Sequence, residues 1–365
     1  MPYFLCRMPT PDLETLGWGP FFAQPFAPFA AEGLVPARVS LEHQHIYRVC
    51  TGQDEPLAHV AGRLRHRATA RREYPAVGDW VALERGDTGH RATIHAVLPR
   101  RSRFSRKAAG EVTEEQVVAA NVDIVFLVSG LDRDFNLRRI ERYLVTAREG
   151  GTTPVVVLNK TDLCDDLAPM LEEVARVAGG TPVHAISSRA RQGLEVLAGY
   201  LTRGTTIALL GSSGVGKSTL INALIGEERQ RTLEVREKDS RGRHATTNRE
   251  LIALPQGALL IDTPGMRELQ LWEGDAALDE TFEDVDAIAP GCYFRDCQHD
   301  TEPRCAVKAA VERGELSPAR LDSFQRLRRE VAHLERKVDH AAAAEEKRRW
   351  KIIHKNFRKI GSKRI

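Results

Sequence analysis

The sequence predicts a multidomain chain: a small all-β barrel, an α/β domain on a mostly parallel sheet, and a small metal-binding domain with C-terminal helices. Three observations predict it. Short alternating stretches between residues 35 and 105 give way, near residue 122, to apolar strands alternating with helical segments. Three of the six cysteines gather between 292 and 305, and a charged helical stretch follows them. The 365 residues suffice for two or three domains.

Composition removes several classes. With 42% hydrophobic and 28% charged residues, the chain is not mainly disordered. Its longest apolar runs, Ile124–Val128 and Val155–Leu158, fall far short of the ~20 residues of a membrane span. Met1–Asp12 lacks a basic start followed by an apolar core, so no secretory leader is expected. Six cysteines make no disulfide framework, and a cytoplasmic protein with a metal site is expected. The net charge of +3 is unevenly spread. Residues 34–110 carry 14 Lys/Arg against 7 Asp/Glu, residues 111–276 carry 19 against 24, and residues 346–365 carry 9 against Glu346 alone. Two basic ends suggest a polyanion held by both, with two solvated basic faces as the rival reading.

Taken in order, residues 1–33 are rich in Pro, Phe and Gly and read as an arm packed on the body. Residues 34–110 hold five expected strands: Ala37–Ser40, Ile46–Cys50, His59–Leu64, Trp80–Leu83 and Ala92–Leu98. That density fits a Greek-key barrel of the OB type, a fold that commonly binds RNA. Arg100, Arg101, Arg103, Arg106 and Lys107 form a basic edge, with Phe104 available for base stacking. The alternative is a basic linker with Phe104 as a core plug. His43, His45, His59 and His66 are read as surface or core histidines, not ligands.

Residues 111–276 alternate strand and helix. Strands are expected at Val122–Val128, Pro154–Leu158, Val183–Ile186, Thr206–Leu210, Arg249–Leu254 and Ala258–Ile261. Helices are expected at Leu137–Glu149, Leu167–Ala178, Leu194–Leu201 and Lys217–Ile225. Residues 277–340 form the metal domain, with a helical stretch over about 318–349 that leads into a basic tail, 341–365.

Four motifs carry chemistry. Gly211, Ser212, Ser213, Gly214, Val215, Gly216, Lys217, Ser218 and Thr219 form a G-x4-G-K-S phosphate loop between a strand and a helix. Its glycines let backbone N–H groups wrap phosphate oxygens, Lys217 reaches the β/γ phosphates, and Ser218 ligates Mg2+. Asp262, at a strand end, holds Mg2+ through water, and Gly265 offers its N–H to the γ-phosphate. Asn159, Lys160, Thr161 and Asp162 form N-K-x-D, whose carboxylate can accept from guanine N1–H and N2–H2. Ser187 and Ser188 stand where a backbone contact to guanine O6 belongs.

The order of these motifs is unusual: Asp162 precedes Lys217, which precedes Asp262. The site can still assemble, so the α/β part reads as a circularly permuted P-loop GTPase domain. The loop after Gly265 then runs directly into the C-terminal domain, and loss of γ-phosphate could move it. Finally, Cys292, Cys297, His299 and Cys305 supply three thiolates and an imidazole. Four protein ligands close a tetrahedron, which points to one structural Zn2+.

Permuted order, preceding barrel and following Cys/His cluster together resemble the ribosome small-subunit-dependent GTPase A family, over about residues 35–340. The resemblance implies hydrolysis of GTP to GDP and phosphate during late maturation of the small (30S) ribosomal subunit. It implies stimulation by that subunit and rRNA contact through the OB and zinc domains. No membrane association and a monomeric chain are separate expectations. By the same resemblance, Gly242–Thr247 is a switch segment in which Thr246 binds Mg2+ and γ-phosphate and His244 positions the attacking water. Ala245 departs from the family's usual Thr, and Thr247 is a rival for the Mg2+ role. Met266 stands where many GTPases place Gln, so intrinsic hydrolysis should be slow. Lys347–Lys359, with Trp350 and Phe357 among cations, suits rRNA phosphates and bases. Two rival functions are a regulatory GTPase acting on another structured RNA and an RNA-binding module with a structural nucleotide.

Overall fold

The structure, a computed structural model, describes residues 11–43, 45–86, 91–108, 114–226, 249–262, 269, 271–272, 274–334 and 336–337. His244, Ala245, Thr246, Thr247, Gly265, Met266 and the tail 346–365 lie outside the described residues. The chain divides into two compact units, residues 1–106 with 116–269, and residues 107–115 with 270–365.

In the first unit, Pro20 opens helix α1 (Pro20–Ala31), where its missing N–H costs nothing. Phe22 and Phe26 are buried, and Trp18 and Phe22 pack on Trp80 at centroid distances of 4.7 and 5.8 Å. The arm thus packs on the body. Strands β1 (Val35–His43), β2 (Ile46–Cys50), β3 (Leu57–Val60), β4 (Trp80–Glu84) and β5 (Ala92–Val97) close on themselves in the order β1-β2-β3-β5-β4-β1. Only β3–β5 is parallel, which completes an OB-type barrel. Its interior holds Ala37, Val39, Tyr47, Val49, Val81, Leu83 and Ile94. The expected strand His59–Leu64 ends at Val60 and turns into helix α2 (Gly62–Arg67). Leu64 stands four residues after Val60, a helical and not an alternating spacing, and it packs on the barrel core.

A separate two-stranded sheet of β6 (Arg103–Lys107) and β7 (Glu115–Ala120) follows, which the sequence pattern did not reveal. Phe104 is buried in the main core, so the core-plug reading holds and the stacking reading does not. Arg100 is likewise spent internally: it grips the buried Asp79 at 2.6 and 2.8 Å and donates to the Tyr74 and Arg72 carbonyls. Arg101 pairs with Asp123 at 3.3 Å and lies over the Phe22 ring. Arg100 and Phe104 are thus internal, while Arg101 and Arg103 stay exposed.

The α/β part contains β8 (Ile124–Gly130), helix α3 (Leu137–Glu149), β9 (Thr153–Asn159), helix α4 (Leu167–Ala178), β10 (Val183–Ala185), β11 (Thr206–Leu210), helix α5 (Lys217–Ile225), β12 (Arg249–Ala253) and β13 (Leu259–Asp262). Residues Leu194–Tyr200 form a 3-10 segment where an α-helix was expected. Strand order is β10-β9-β8-β11-β13-β12, parallel except for β12. The strands read as continuous apolar runs because both faces are covered. Val125, Leu127, Val156 and Leu158 meet Ile140 and Leu144 of α3, while Phe126, Val128, Val155 and Val157 share a second core with Leu220 and Leu224 of α5. Barrel and α/β sheet are continuous: β1 pairs antiparallel with β12, and Arg249 meets Glu42 at 3.0 Å.

The second unit contains helices α6 (Asp275–Thr281), α7 (Glu283–Ile288) and α8 (Ala306–Glu312), with residues 318–334 also helical. Phe282 packs against Phe324, and the Arg320 guanidinium lies 4.1 Å over Phe282 while binding Asp284 at 2.9 Å. The cysteine cluster lies in the loop that precedes α8.

Candidate nucleotide site and metal centre

Parallel strands deliver their following loops to one sheet edge, and ligands bind where adjacent crossovers diverge. Here β11 leads into the phosphate loop between β8 and β13, while Asn159–Asp162 follow β9 and Ser187–Ser188 follow β10. The permuted motifs therefore share one edge. Ser213 and Gly214 are exposed at the loop tip, and Ser218 and Thr219 are half-buried in the first turn of α5. Asp262 is half-buried at the end of β13.

The loop is held by the guanine motif. Asn159 Nδ2 donates to the Val215 carbonyl at 2.8 Å, and its Oδ1 accepts from Ser188 N and Oγ, both at 2.9 Å. Gly216 has φ 96°, and a Cβ there would lie 2.3 Å from Asn159 Nδ2. Only glycine lets the asparagine approach. Ser187 Oγ donates to Asp162 Oδ1 at 2.5 Å, aiming the exposed carboxylate, and Thr161 N donates to the Ile186 carbonyl. Lys217 Nζ donates to the Gly211 and Ser212 carbonyls at 2.8 and 2.6 Å. Ser187 and Ser188 thus act through side chains, beyond the backbone contact read from sequence.

Three further residues belong to this site and were not foreseen. Lys160, in the left-handed region at φ 67°, sends its ammonium to Asp132 at 2.5 Å. Arg139 binds Asp134 at 2.5 Å and Ser212 Oγ at 2.8 Å, and Ser212 Oγ donates to Asp134. The Arg139 bonds, with help from Ser212, hold Asp134 below the usual carboxylate range. The loop after β8 therefore straps the guanine motif to the phosphate loop. Nothing in local sequence marks it, because its role comes from β8 lying between β9 and β11.

In the second unit, the donor atoms of Cys292, Cys297, His299 and Cys305 all lie within 4.8 Å of one another. Cys292 Sγ stands 3.8 Å from Cys305 Sγ and 3.6 Å from His299 Nδ1, which is 3.4 Å from Cys305 Sγ. A tetrahedron of metal–sulfur bonds near 2.3 Å has sulfur–sulfur edges of about 3.8 Å, so the set fits a four-coordinate ion. Glu302 braces the loop by accepting the Gln298 and Asp300 N–H groups at 2.9 Å, which hold it down to about 2.

A phosphate loop, a guanine-reading carboxylate and this strand order define a circularly permuted GTPase. The profile of the RsgA GTPase family matches residues 97–272. An ABC transporter profile also matches residues 194–351, a stretch with the phosphate loop but without Asn159–Asp162. A protein of Opitutus terrae, named small ribosomal subunit biogenesis GTPase RsgA, is 51% identical over 95% of this chain and 97% of its own length. Its namesake in Oceanobacillus iheyensis is 46% identical over 87% and 91%. The crystal structure of YjeQ from Thermotoga maritima superposes with a TM-score of 0.60 at 27% identity, covering 82% of this chain and 99% of that one. YloQ, described as a circularly permuted GTPase, matches in fold with a TM-score of 0.58 at 23% identity, over 82% and 96%. The chain belongs to the RsgA GTPase family, and it is a GTP-hydrolysing enzyme.

Proposed function

We propose that this GTPase acts in late maturation of the small ribosomal subunit, which stimulates its hydrolysis and which it leaves after hydrolysis. The observation that carries the reading is likeness along nearly the whole chain to relatives named for small-subunit biogenesis, joined to an assembled guanine and phosphate site. No described helix is long and apolar enough to cross a membrane, and a cytoplasmic location belongs to this reading. In this reading the chain is a monomer divided into an arm (1–33), a barrel (34–110), a GTPase domain (111–276), a zinc domain (277–340) and a basic tail.

Asp162, aimed by Ser187, selects guanine, and Asn159 fixes the distance from base to phosphate loop through Val215. Gly211–Thr219 cradle the phosphates, and Lys217 offers its ammonium to the β/γ oxygens. Ser218, Thr246 and, through water, Asp262 would hold Mg2+, which supplies charge neutralisation for in-line attack on the γ-phosphate. His244 orients the attacking water. Met266 cannot, so hydrolysis by the chain alone is slow.

Hydrolysis is to be measured with the protein alone, with small subunits, with large subunits and with bulk RNA. Small subunits alone should stimulate turnover by about tenfold or more. His244→Ala should abolish the stimulation while leaving GTP binding. Equal turnover in all four mixtures would remove the ribosome from the account.

The Cys3His set would hold one Zn2+, whose role is to supply the folding free energy that a short loop cannot draw from a core. Metal analysis of the purified chain should give one zinc. Cys297→Ser should lose it, at a stability cost of several kcal/mol in the second unit. Full thermal stability of the metal-stripped chain would contradict a structural role.

A further inference from the structure

Three charged residues of the loop after β8 and the first turn of α3 stand between the two halves of the nucleotide site. We propose that Asp132, Asp134 and Arg139 are positioning residues that hold the base-reading and phosphate-binding segments at the spacing of one nucleotide. By doing so they set how long the nucleotide stays bound. The inference rests on the reading above of Asn159–Asp162 as the base half and Gly211–Thr219 as the phosphate half.

The sheet places them there. Strand β8 pairs with β11 on one side and β9 on the other, so its following loop lies between the two motif-bearing loops. The backbone is close to both. Leu131 N donates to the Asn159 carbonyl at 2.8 Å, and a Cβ on Gly211 would lie 2.4 Å from the Val128 carbonyl oxygen.

Side chains then connect one half to the other without a gap. Lys160 reaches Asp132 Oδ2 at 2.5 Å, and Asp132 Oδ1 accepts from Asp134 N at 3.0 Å. Asp134 is gripped twice by Arg139, Oδ2 accepting from Nη1 at 2.5 Å and Oδ1 from Nη2 at 3.2 Å. Ser212 Oγ completes the connection: it donates to Asp134 Oδ2 and accepts from Arg139 Nη1, both at 2.8 Å. The Ser212 carbonyl in turn accepts from Lys217 Nζ at 2.6 Å.

Neither helix capping nor charge attraction accounts for the two carboxylates. Asn136 already caps α3, its Oδ1 accepting from Arg139 N at 3.2 Å. Bare carboxylates beside a phosphate site would repel the ligand; paired with Lys160 and Arg139 they are neutralised and serve as connectors. Lys160 has φ 67°, an unfavourable backbone for a side chain, and its bond to Asp132 offsets that cost. A lone exposed ion pair is worth little, whereas a two-pronged pair inside a network orders its members. Preset spacing matters only to a ligand that fills both halves, because its second half then binds as if intramolecularly.

The test uses the full chain and two variants that cut the connection at opposite ends. Asp132→Asn releases the Lys160 ammonium. Ser212→Ala cuts the phosphate end without changing charge, and leaves Asp134 and Arg139 to each other. Each variant should release a fluorescent GDP about fivefold faster than wild type. The double variant should release it no faster than the singles, since a connection cut once is already cut. Guanosine, which fills only the base half, should keep its wild-type affinity in all of them, read by competition against the fluorescent GDP. Melting temperatures should stay within about 2 °C of wild type. Wild-type release from both variants would overturn the proposal. Equal losses for GDP and guanosine would also overturn it, because Asp132 would then serve the base half alone. Effects that multiply in the double variant would mean two unconnected contacts and overturn it as well. A melting temperature that falls along with faster release would replace positioning by a general structural role. Lys217→Ala tests the underlying reading separately: it should abolish GDP binding, and if GDP still binds as in wild type, the assignment of the phosphate half falls and the connection with it.

Discussion

Asp162→Asn is expected to lower affinity for GTP by at least about a hundredfold and to make XTP the better ligand. The carboxylate offers two acceptors, which match the N1–H and N2–H2 donors of guanine. Asparagine keeps one acceptor and replaces the other with an amine. Against guanine that amine faces the N2 amine, so a donor meets a donor and both lose their partner. Xanthine carries oxygen at that carbon and keeps N1–H, so the same asparagine pairs with it twice. Ser187 makes the exchange local: its Oγ donates to Asp162 Oδ1 and can donate equally to the asparagine carbonyl, so the side chain stays aimed. Competition between GTP and XTP for both proteins measures the effect. An Asp162→Asn protein that still prefers GTP would take base recognition away from this residue.

The legible parts of this site were those written in contiguous residues. Gly211–Ser218, Asn159–Asp162 and Cys292–Cys305 were readable because phosphate wrapping, guanine pairing and metal closure each demand particular side chains at short spacing. Helices Leu137–Glu149 and Leu167–Ala178 appear where the 3.6-residue rhythm put them. What could not be read depends on strands that are remote in sequence. Asp132 and Asp134 looked like any polar loop until β8 was placed beside β9 and β11. The arginines around residue 101 and those of α2 are equally basic on paper. Only the buried Asp79 separates Arg100, which it holds internally, from the exposed arginines of α2. Alternation also misled at His59–Leu64, where one apolar residue at helical spacing passed for another strand position.

Gly78→Ala is expected to destabilise the first unit by about 3 kcal/mol or more, the largest stability effect anticipated for a single methyl group here. Gly78 has φ 92°, where an L side chain is strained, and an added Cβ would lie 2.1 Å from the Ala120 carbonyl oxygen and 2.9 Å from Ile261 Cδ1. The carbonyl is backbone and cannot swing aside, because its peptide plane is held by Asn121 N donating to Ser102 O at 2.9 Å. The Gly78 carbonyl in turn accepts from Arg38 Nε and Asn121 Nδ2, both at 3.1 Å. Arg38 is wholly buried beneath Trp80 and also donates to Leu16 O at 2.5 Å and Asn121 O at 3.1 Å. Burial pushes its guanidinium down to about 10, so it remains charged at neutral pH. One glycine thus lets the arm, the barrel and the entry to β8 converge on a single buried cation. Displacing it strands three carbonyls together, and the barrel and the α/β sheet should melt in one shared, lowered transition. Gly19→Ala is the control, since nothing lies within 4 Å of its Cβ position and its backbone is extended. Urea unfolding of the two variants measures the difference. A Gly78→Ala protein within about 1 kcal/mol of wild type would mean that the joint yields, and that the barrel can shift against the sheet that carries the nucleotide motifs.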